Sequence, residues 1–372
     1  MVKKIIASLF GFLFLSLSPA LAEVPVKIGV IFARTGTASI ESQAAFTAAQ
    51  FAAEEINSQG GVLGKRIVLE PFDNKSTSLG AKIAAEKAVL AGVAGVIGAN
   101  WSSFSMAMAE VLQQAGIPMI SPSSTTPGLT AGKNFIFRVC FDDNFQGKIA
   151  ADFALDDLQA ETAVVMTNTS SQYSMGLASV FIDKFQERGK ILLEADYSQT
   201  TTDFTTYLKR VRTVNPDIVF VPDHLRQSGY IIQQTGKMGL DITFLGGDGW
   251  LNSMYRYGGD RLHGNFYVAQ WHYKSPAKAS RRFLKKYSKQ GGNAEDPSLA
   301  LTYDAVTLFA DAVERAGSLD RKEIRKALAA TKNFHGVTGD ITFDENGDPM
   351  NKSAVILKFD NHDSILYKSV HP

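Results

Sequence analysis

Two hydroxyl-rich segments of this sequence have the residue types that bind a small anion. The first is Gly98–Ser105 and the second is Ile117–Pro127. Helical periodicity from Ser103 to Gln114 predicts a helix N-terminus just after Ser102, where unpaired backbone N–H groups and a partial positive charge favour a carboxylate. The structural alternative is that the first segment only caps a helix and the second only forms a turn.

Each of the two segments follows a short apolar strand, and the arrangement of those strands predicts where the segments lie in the fold. Val93–Ile97 and Met119–Ile120 are strand-like, and one helix separates them. A strand–helix–strand unit of this kind makes neighbouring parallel strands, so both segments should emerge at the carboxyl edge of one sheet, where open α/β sheets bind ligands. Two hydroxyl clusters at one edge favour a binding site over the structural alternative.

The same alternation of strands and helices runs through most of the chain in two blocks. The first extends from Val26 to Phe141, and the second continues to about Leu245. This order predicts the α/β class, with two doubly wound parallel-sheet lobes whose strand ends face a cleft. The C-terminal third shows three helix-like segments and one predicted hairpin, Gly339–Asp348 with Ser353–Phe359. Because that is too little sheet for a third domain, we expect the chain to recross and complete both lobes.

The first residues predict export. Lys3 and Lys4 precede the apolar run Ile5–Leu17, and Pro19–Ala22 has the small-residue spacing of a signal-peptidase site. Residues 1–22 are therefore predicted to be a cleavable signal peptide and the location to be the periplasm. A membrane anchor is the alternative, but the run is shorter than the roughly 20 residues that a spanning helix needs.

Composition and motifs disfavour several other classes of protein. The 38 Lys and Arg residues nearly balance the 37 Asp and Glu residues, which argues against a nucleic-acid groove. The six histidines lack metal-ligand spacing, and the single cysteine, Cys140, is predicted to be a buried structural thiol. No nucleotide-binding or hydrolase motif is present, so we predict no enzyme, no cofactor and no metal site.

Five segments, taken together, resemble the leucine/isoleucine/valine-binding group of periplasmic solute-binding proteins. They are Val26–Val30, Ala53–Lys65, Val96–Ala99, Gly116–Thr125 and Ile341–Asp348. The resemblance covers the whole mature chain and implies a type I binding-protein fold with a three-crossover hinge. It also implies a monomer that serves a membrane ABC permease. By analogy the N-terminal lobe spans residues 23–142 plus 273–350, and the C-terminal lobe spans 143–272 plus 351–372.

The resemblance also implies which residues bind the ligand. Ser102 would bind the carboxylate through its hydroxyl, Ser123 would contact the ligand through its backbone, and Thr125 would hold the amino-acid head group. In the second lobe Tyr173 matches a cleft tyrosine, and Asp248 matches the acidic partner of the ligand's ammonium. Neutral donors and one carboxylate would bury a zwitterion with both charges satisfied. For Asp248 the alternative is a turn aspartate, because its glycine-rich context is turn chemistry by itself.

Three of the implied pocket positions depart from the family pattern. Glu41 lies where an aromatic residue is common, Trp101 where a small residue is usual, and His224 where a tyrosine can occur. Because loop charges are normally exposed, we expect Glu41 and the nearby Arg34 to face solvent rather than a polar ligand group. Trp101, Trp250 and His224 could line the side-chain pocket and stack on a flat ligand, and ordinary packing is the alternative for the tryptophans.

The resulting prediction is a protein that captures an amino acid, or a close analogue, by hinge closure. The ligand would dock on the first lobe, and the second lobe would then close over it and signal occupancy to the permease. A ligand-sensing protein for another small carboxylate, aromatic acid or amide, reporting to a receptor, is the alternative. Both roles would use the same closed form.

Overall fold

The computed structural model describes residues 24–289 and 294–371 of the chain. The predicted signal peptide, residues 1–22, lies outside these ranges. Within them, none of the helices combines the length and the apolar character that crossing a bilayer requires.

Two sheets with parallel strands at their centres form the framework. In the described part of the chain the strands are β1 (Val26–Phe32), β2 (Ile67–Asp73), β3 (Gly95–Gly98), β4 (Met119–Ser121), β5 (Ile136–Arg138), β6 (Thr162–Asn168), β7 (Lys190–Tyr197), β8 (Ile218–Val221), β9 (Thr243–Gly246), β10 (Phe266–Ala269), β11 (Phe334–Gly336), β12 (Gly339–Ile341), β13 (Ala354–Asp360) and β14 (Asp363–Val370). The first sheet has the order β2-β1-β3-β4-β5, all parallel. The second has the order β14-β13-β10-β9-β8-β6-β7, in which only the pairings of β13 are antiparallel. Strands β3 and β8 are buried throughout, as is typical of central parallel strands.

Helices cover both sheets, and several begin at polar caps. They are α1 (Ser39–Ser58), α2 (Ser78–Leu90), α3 (Ser102–Gln114), α4 (Asp143–Asp152), α5 (Gln172–Phe185), α6 (Thr205–Val214), α7 (Leu225–Lys237), α8 (Tyr255–Gly258), α9 (Lys278–Ser288), α10 (Pro297–Ala316) and α11 (Arg321–Ala329). Asp142 accepts a hydrogen bond from Phe145 N at the start of α4, and Ser171 accepts one from Ser174 N at the start of α5. These caps satisfy N–H groups that a helix leaves unpaired.

The chain passes between the two sheets three times. It crosses after β5 into α4, returns after β10 into α9, and crosses again after β12 into β13. The return completes the first lobe, because Leu301 and Phe309 of α10 share one apolar cluster with Val30 and Phe137. The structure therefore has the predicted α/β class and the predicted three-crossover hinge. Each predicted lobe boundary, at 142/143, 272/273 and 350/351, lies in a crossing segment, and the division of the chain at those residues stays a prediction.

The hairpin predicted near the C-terminus is wrong in its pairing. Strand β12 pairs with β11, whereas β13 pairs with β14 and with β10 of the second sheet. The turn around Asp344 to Asp348, which resembled a hairpin loop, instead leads into the third crossing. Asp344 Oδ1 accepts hydrogen bonds from the backbone of Asn346 and Asp348 and so closes this turn locally.

Cys140 is fully buried beside the first crossing. Burial raises the pKa of its thiol, so the group is protonated and unreactive at neutral pH. The prediction of a structural thiol agrees with this position.

Candidate ligand-binding site between the lobes

Hydroxyl groups fix the loops that follow β3 and β4 to each other. Ser121 Oγ donates to Ala99 O (3.0 Å), and Ser124 Oγ donates to Ser105 Oγ (2.7 Å), which in turn donates to Ala99 O (3.1 Å). Part of the hydroxyl-rich sequence therefore has a structural role, in agreement with the structural alternative given in the sequence analysis. These buried bonds hold the remaining serines, Ser102 and Ser123, at the carboxyl edge of the first sheet.

Ser102 and Ser123 form a corner of the cavity wall with unpaired hydrogen-bond donors, called the donor corner below. Ser102 is the first residue of α3, and its Oγ accepts a hydrogen bond from Thr126 N (3.3 Å), so it is not the helix cap that the alternative required. Its hydroxyl proton is left to donate elsewhere. Within residues 24–289 and 294–371, no protein acceptor pairs with the backbone N–H of Ser102 or Ser123. A hydroxyl and two amides at a helix N-terminus suit a carboxylate.

Thr125 lies just behind this corner rather than in the cavity wall. The residue is almost completely buried, and its carbonyl accepts a hydrogen bond from Asp143 N (2.8 Å) at the start of α4. Thr125 thus connects the first lobe to the first crossing, and its predicted contact with the ligand stays a prediction.

The second lobe contributes Asp248 and Tyr173. Asp248 lies in the turn after β9, where Gln146 Nε2 donates to its Oδ1 (3.1 Å) and Gln270 Nε2 donates to its Oδ2 (3.0 Å). Burial raises the pKa of this carboxyl, and the two glutamine hydrogen bonds oppose that shift. Tyr173 lies in the first turn of α5, and its hydroxyl accepts a hydrogen bond from Gly249 N (3.1 Å). Asp248 is thus a partly buried acceptor that the two glutamine amides hold in one orientation.

Glycines surround Asp248 because there is no room for larger residues. A Cβ atom on Gly246 would collide with the ring of Trp250, and one on Gly247 would collide with the hydroxyl of Tyr173. A Cβ on Gly249 would meet the carbonyl oxygen of Asp223. The acidic turn is therefore packed tightly on every side except the one that faces the cavity.

Glu41 corrects the expectation that it would face solvent. It lies in the first turn of α1 rather than in the preceding loop, and only 8% of it is exposed. Its Oε2 accepts a hydrogen bond from Trp101 Nε1 (2.6 Å) and lies 3.4 Å from His224 Nδ1. These partners compensate for the burial of its charge. Arg34, by contrast, is exposed as expected.

Trp101 and His224 close the cavity from opposite lobes. Their rings stack with centroids 3.7 Å apart and 7° between the planes, and Phe104 also stacks with Trp101, with centroids 5.2 Å apart. Trp250 does not join them, because it is completely buried in the core of the second lobe against Phe359. Of the two tryptophans considered for the pocket, Trp101 lines the cavity, whereas Trp250 packs in the core of the second lobe.

The cavity between the lobes is small, with a volume of about 50 Å³, and both polar and apolar residues line it. Seven of the eight predicted site residues line it: Glu41, Trp101, Ser102, Ser123, Tyr173, His224 and Asp248. Sequence reasoning missed the rest of the lining, which is Asn100, Gly249, Leu251, Ala269, Gln270, Pro297, Ser298 and Leu301. Three of these carried a readable signal: Asn100 lies in the first hydroxyl-rich segment, Gly249 lies in the glycine-rich turn, and Asp-Pro-Ser at positions 296–298 is typical of a helix start. The lobes also touch beside the cavity, where Gln172 N donates to Ser103 Oγ (3.3 Å), so this structure is a closed form.

Two α/β lobes that close over one small cavity define a bilobal solute-binding protein. The chain belongs to the periplasmic binding protein family, whose model matches residues 25–363. Among curated relatives, Leu/Ile/Val-binding protein homolog 3 of Brucella melitensis is 28% identical over 350 residues, covering 91% of this chain and 93% of that protein. The family predicted from the sequence is thereby confirmed.

Solved structures agree with this assignment. The leucine binding protein LivK from Thermotoga maritima has a TM-score of 0.90 and is 33% identical, covering 93% of this chain and 99% of that one. LivJ from Streptococcus pneumoniae, in complex with isoleucine, has a TM-score of 0.89 and is 30% identical, covering 94% and 100%. These structures share the type I periplasmic binding protein fold with this chain.

Proposed function

We propose that this protein is the substrate-binding component of an ABC importer and that it captures a free α-amino acid, or a close analogue, between its lobes. The observation that carries the proposal is that a hydrogen-bonded carboxylate acceptor, Asp248, and the donor corner at Ser102 and Ser123 line one cavity between the lobes. A zwitterion satisfies both ends, whereas a simple anion or cation would leave one end uncompensated. The names of the relatives support an amino-acid ligand.

The proposed cycle is capture by hinge closure. The ligand carboxylate docks on the first lobe, and Tyr173 and Asp248 then close over the ammonium. The closed form, which a membrane permease would recognise, is the occupied one. We further propose a monomer in the periplasm with the lobe division given above, and we assign it no catalytic step. Membership of a family of binding proteins supports each of these points.

Thermal unfolding in the presence of candidate ligands tests this function. A ligand at about 100 times its dissociation constant stabilises the folded protein by roughly 2.7 kcal/mol, so the right amino acid should raise the melting temperature by several degrees. The screen should include amino acids, aromatic acids and amides at equal concentration. If an aromatic acid or an amide raises the melting temperature and no amino acid does, the ammonium site is wrong and the sensing alternative is favoured.

Ligand affinity is expected to fall as pH rises, because closure pairs His224 with Glu41 of the other lobe. Burial lowers the pKa of His224, but Glu41, assisted by Asp223 and Asp248, outweighs burial and the net pKa is raised. Because the pKa of His224 is raised in the closed form, protonated His224 stabilises that form. This stabilisation is complete below the ordinary histidine pKa of about 6.5 and is lost as pH rises through the raised pKa.

Calorimetric titration of the best amino acid from the screen, at a series of pH values between about 5.5 and 8.5, measures this effect. Glutamine has no titratable group, so the ligand affinity of the variant His224→Gln should not fall in this way as pH rises. An affinity of the unmodified protein that is constant or rises over that range would contradict the role of the pair. Comparison with the variant separates the effect of His224 from that of Asp248, because only the unmodified protein contains the histidine.

A further inference from the structure

We propose that Trp101 restricts the ligand to an amino acid with a short side chain, of the size of glycine, alanine or serine, and excludes leucine and isoleucine. This inference rests on the proposed function, because it assumes that an amino acid occupies the cavity. It goes beyond that function by naming the substrate class and the residue that selects it. Three observations carry it: the volume of the cavity, the fixation of Trp101, and the contacts of the closed lobes.

The cavity has little room beyond an amino-acid head group. One buried water needs roughly 10–15 Å³, so about 50 Å³ accommodates only about three to five groups of that size. The carboxylate, the ammonium and the α-carbon nearly fill this space. A methyl or hydroxymethyl side chain adds one or two groups, whereas the branched chain of leucine would need a further compartment.

The ring of Trp101 forms part of the cavity wall, and three neighbours fix it. Phe104 and His224 both stack with the ring, and Glu41 accepts the hydrogen bond of the indole N–H at 2.6 Å. Turning the ring aside would break both stacks and would remove one partner of a buried carboxylate. This part of the wall therefore resists being displaced by a longer ligand side chain.

The cavity cannot expand by partial opening without losing contacts between the lobes. Glu41 and Trp101 belong to the first lobe, and His224 belongs to the second. A side chain that held the lobes apart would separate His224 from both and would also break the hydrogen bond from Gln172 N to Ser103 Oγ. Ligands that allow full closure are therefore favoured over longer ones.

Calorimetric titration with glycine, alanine, serine, leucine and isoleucine, using the unmodified protein and Trp101→Ala, tests the proposal. We expect the unmodified protein to bind at least one of the three short amino acids at least tenfold more tightly than leucine. Trp101→Ala should bind leucine at least tenfold more tightly than the unmodified protein does. Trp101→Phe is the matched control: it keeps a stacking ring, loses the N–H donor and only part of the ring volume, and should retain more of the preference for short ligands than Trp101→Ala does.

The outcomes separate this inference from the function on which it rests. If no amino acid binds the unmodified protein, the proposed function fails. If leucine binds it as tightly as the short amino acids do, the function stands and the size restriction is overturned. If the short amino acids are preferred but folded Trp101→Ala gains no affinity for leucine, Trp101 is not the selecting residue. Should Trp101→Ala fail to fold, the selectivity of the unmodified protein still decides the size restriction.

Discussion

Asp248→Asn is expected to weaken amino-acid binding by about thirtyfold or more. In the closed cavity the carboxylate of Asp248 would compensate a desolvated ammonium, and asparagine removes that charge. Truncating one partner of a buried charged pair typically costs about 2 to 5 kcal/mol, and each 1.4 kcal/mol is tenfold in affinity. Calorimetric titration of the variant measures the loss.

The structure adds a second expected effect of this substitution. The amides of Gln146 and Gln270 cannot flip freely, because Gln146 Oε1 accepts from Asp248 N (2.6 Å) and Gln270 Oε1 accepts from Phe141 N (3.1 Å). An asparagine at position 248 would point its own NH₂ group at one of these donors. The ligand-free variant should therefore also lose about 1 to 3 kcal/mol of unfolding free energy.

Asp143→Asn is the matched control for Asp248→Asn. Asp143 is also a buried carboxyl that accepts from Gln146 Nε2 (3.2 Å), but it does not line the cavity. Burial and the nearby Asp248 raise its pKa well above the usual range, so asparagine closely mimics its neutral form. The affinity of the Asp143→Asn variant for the amino acid should therefore be nearly the same as that of the unmodified protein. If Asp248→Asn binds as tightly as this control does, Asp248 is a turn residue and not the ammonium partner.

Arg138→Met should lower the free energy of unfolding by about 3 kcal/mol. The guanidinium of Arg138 is completely buried and donates to both oxygens of Asp348, to Thr130 Oγ1, and to the carbonyls of Ser124 and Thr126. Breaking a buried ion pair typically costs about 3 to 5 kcal/mol, and the lower end applies because 24% of the Asp348 side chain is exposed. Urea unfolding, followed by circular dichroism and by fluorescence, measures the change.

The exposed Arg188 is the control for this measurement. It pairs with Asp156 (2.7 Å) and Asp152 (3.4 Å), but its side chain is 49% exposed, so Arg188→Met should cost less than about 1 kcal/mol. Arg138 also holds the loop that carries Ser123, so only Arg138→Met should weaken ligand binding as well. Equal losses of stability in the two variants would refute the structural role of the buried pair.

The sequence predicted those parts of the site that depend on local order. Because α3 links β3 to β4, Ser102 and Ser123 had to emerge at one sheet edge, and the structure places both in the cavity wall. The glycines around Asp248 also marked a turn, but the role of Asp248 at the site was implied only by the family resemblance. Local pattern suffices in these cases, since neighbouring parallel strands bring their carboxyl ends together.

The parts that the sequence could not predict depend on partners that are distant along the chain. The burial of Glu41 is explained only by Trp101 and His224, which lie 60 and 183 positions away. Gln146 is 102 positions from Asp248, and nothing in its local context marks it as a carboxylate partner. General rules for exposed loop charges fail at Glu41, because tertiary contacts compensate for the burial of its charge.

The crowded glycines around Asp248 have a consequence for how this protein can evolve. No residue larger than glycine fits at positions 246, 247 and 249 without displacing a neighbour, so mutations there damage the head-group site before they can change its preference. Glu41, Trp101 and His224 are instead side chains on the cavity wall, and each can be exchanged without moving the backbone. New ligand preferences should therefore arise by drift at this wall, while recognition of the shared amino-acid core is inherited unchanged.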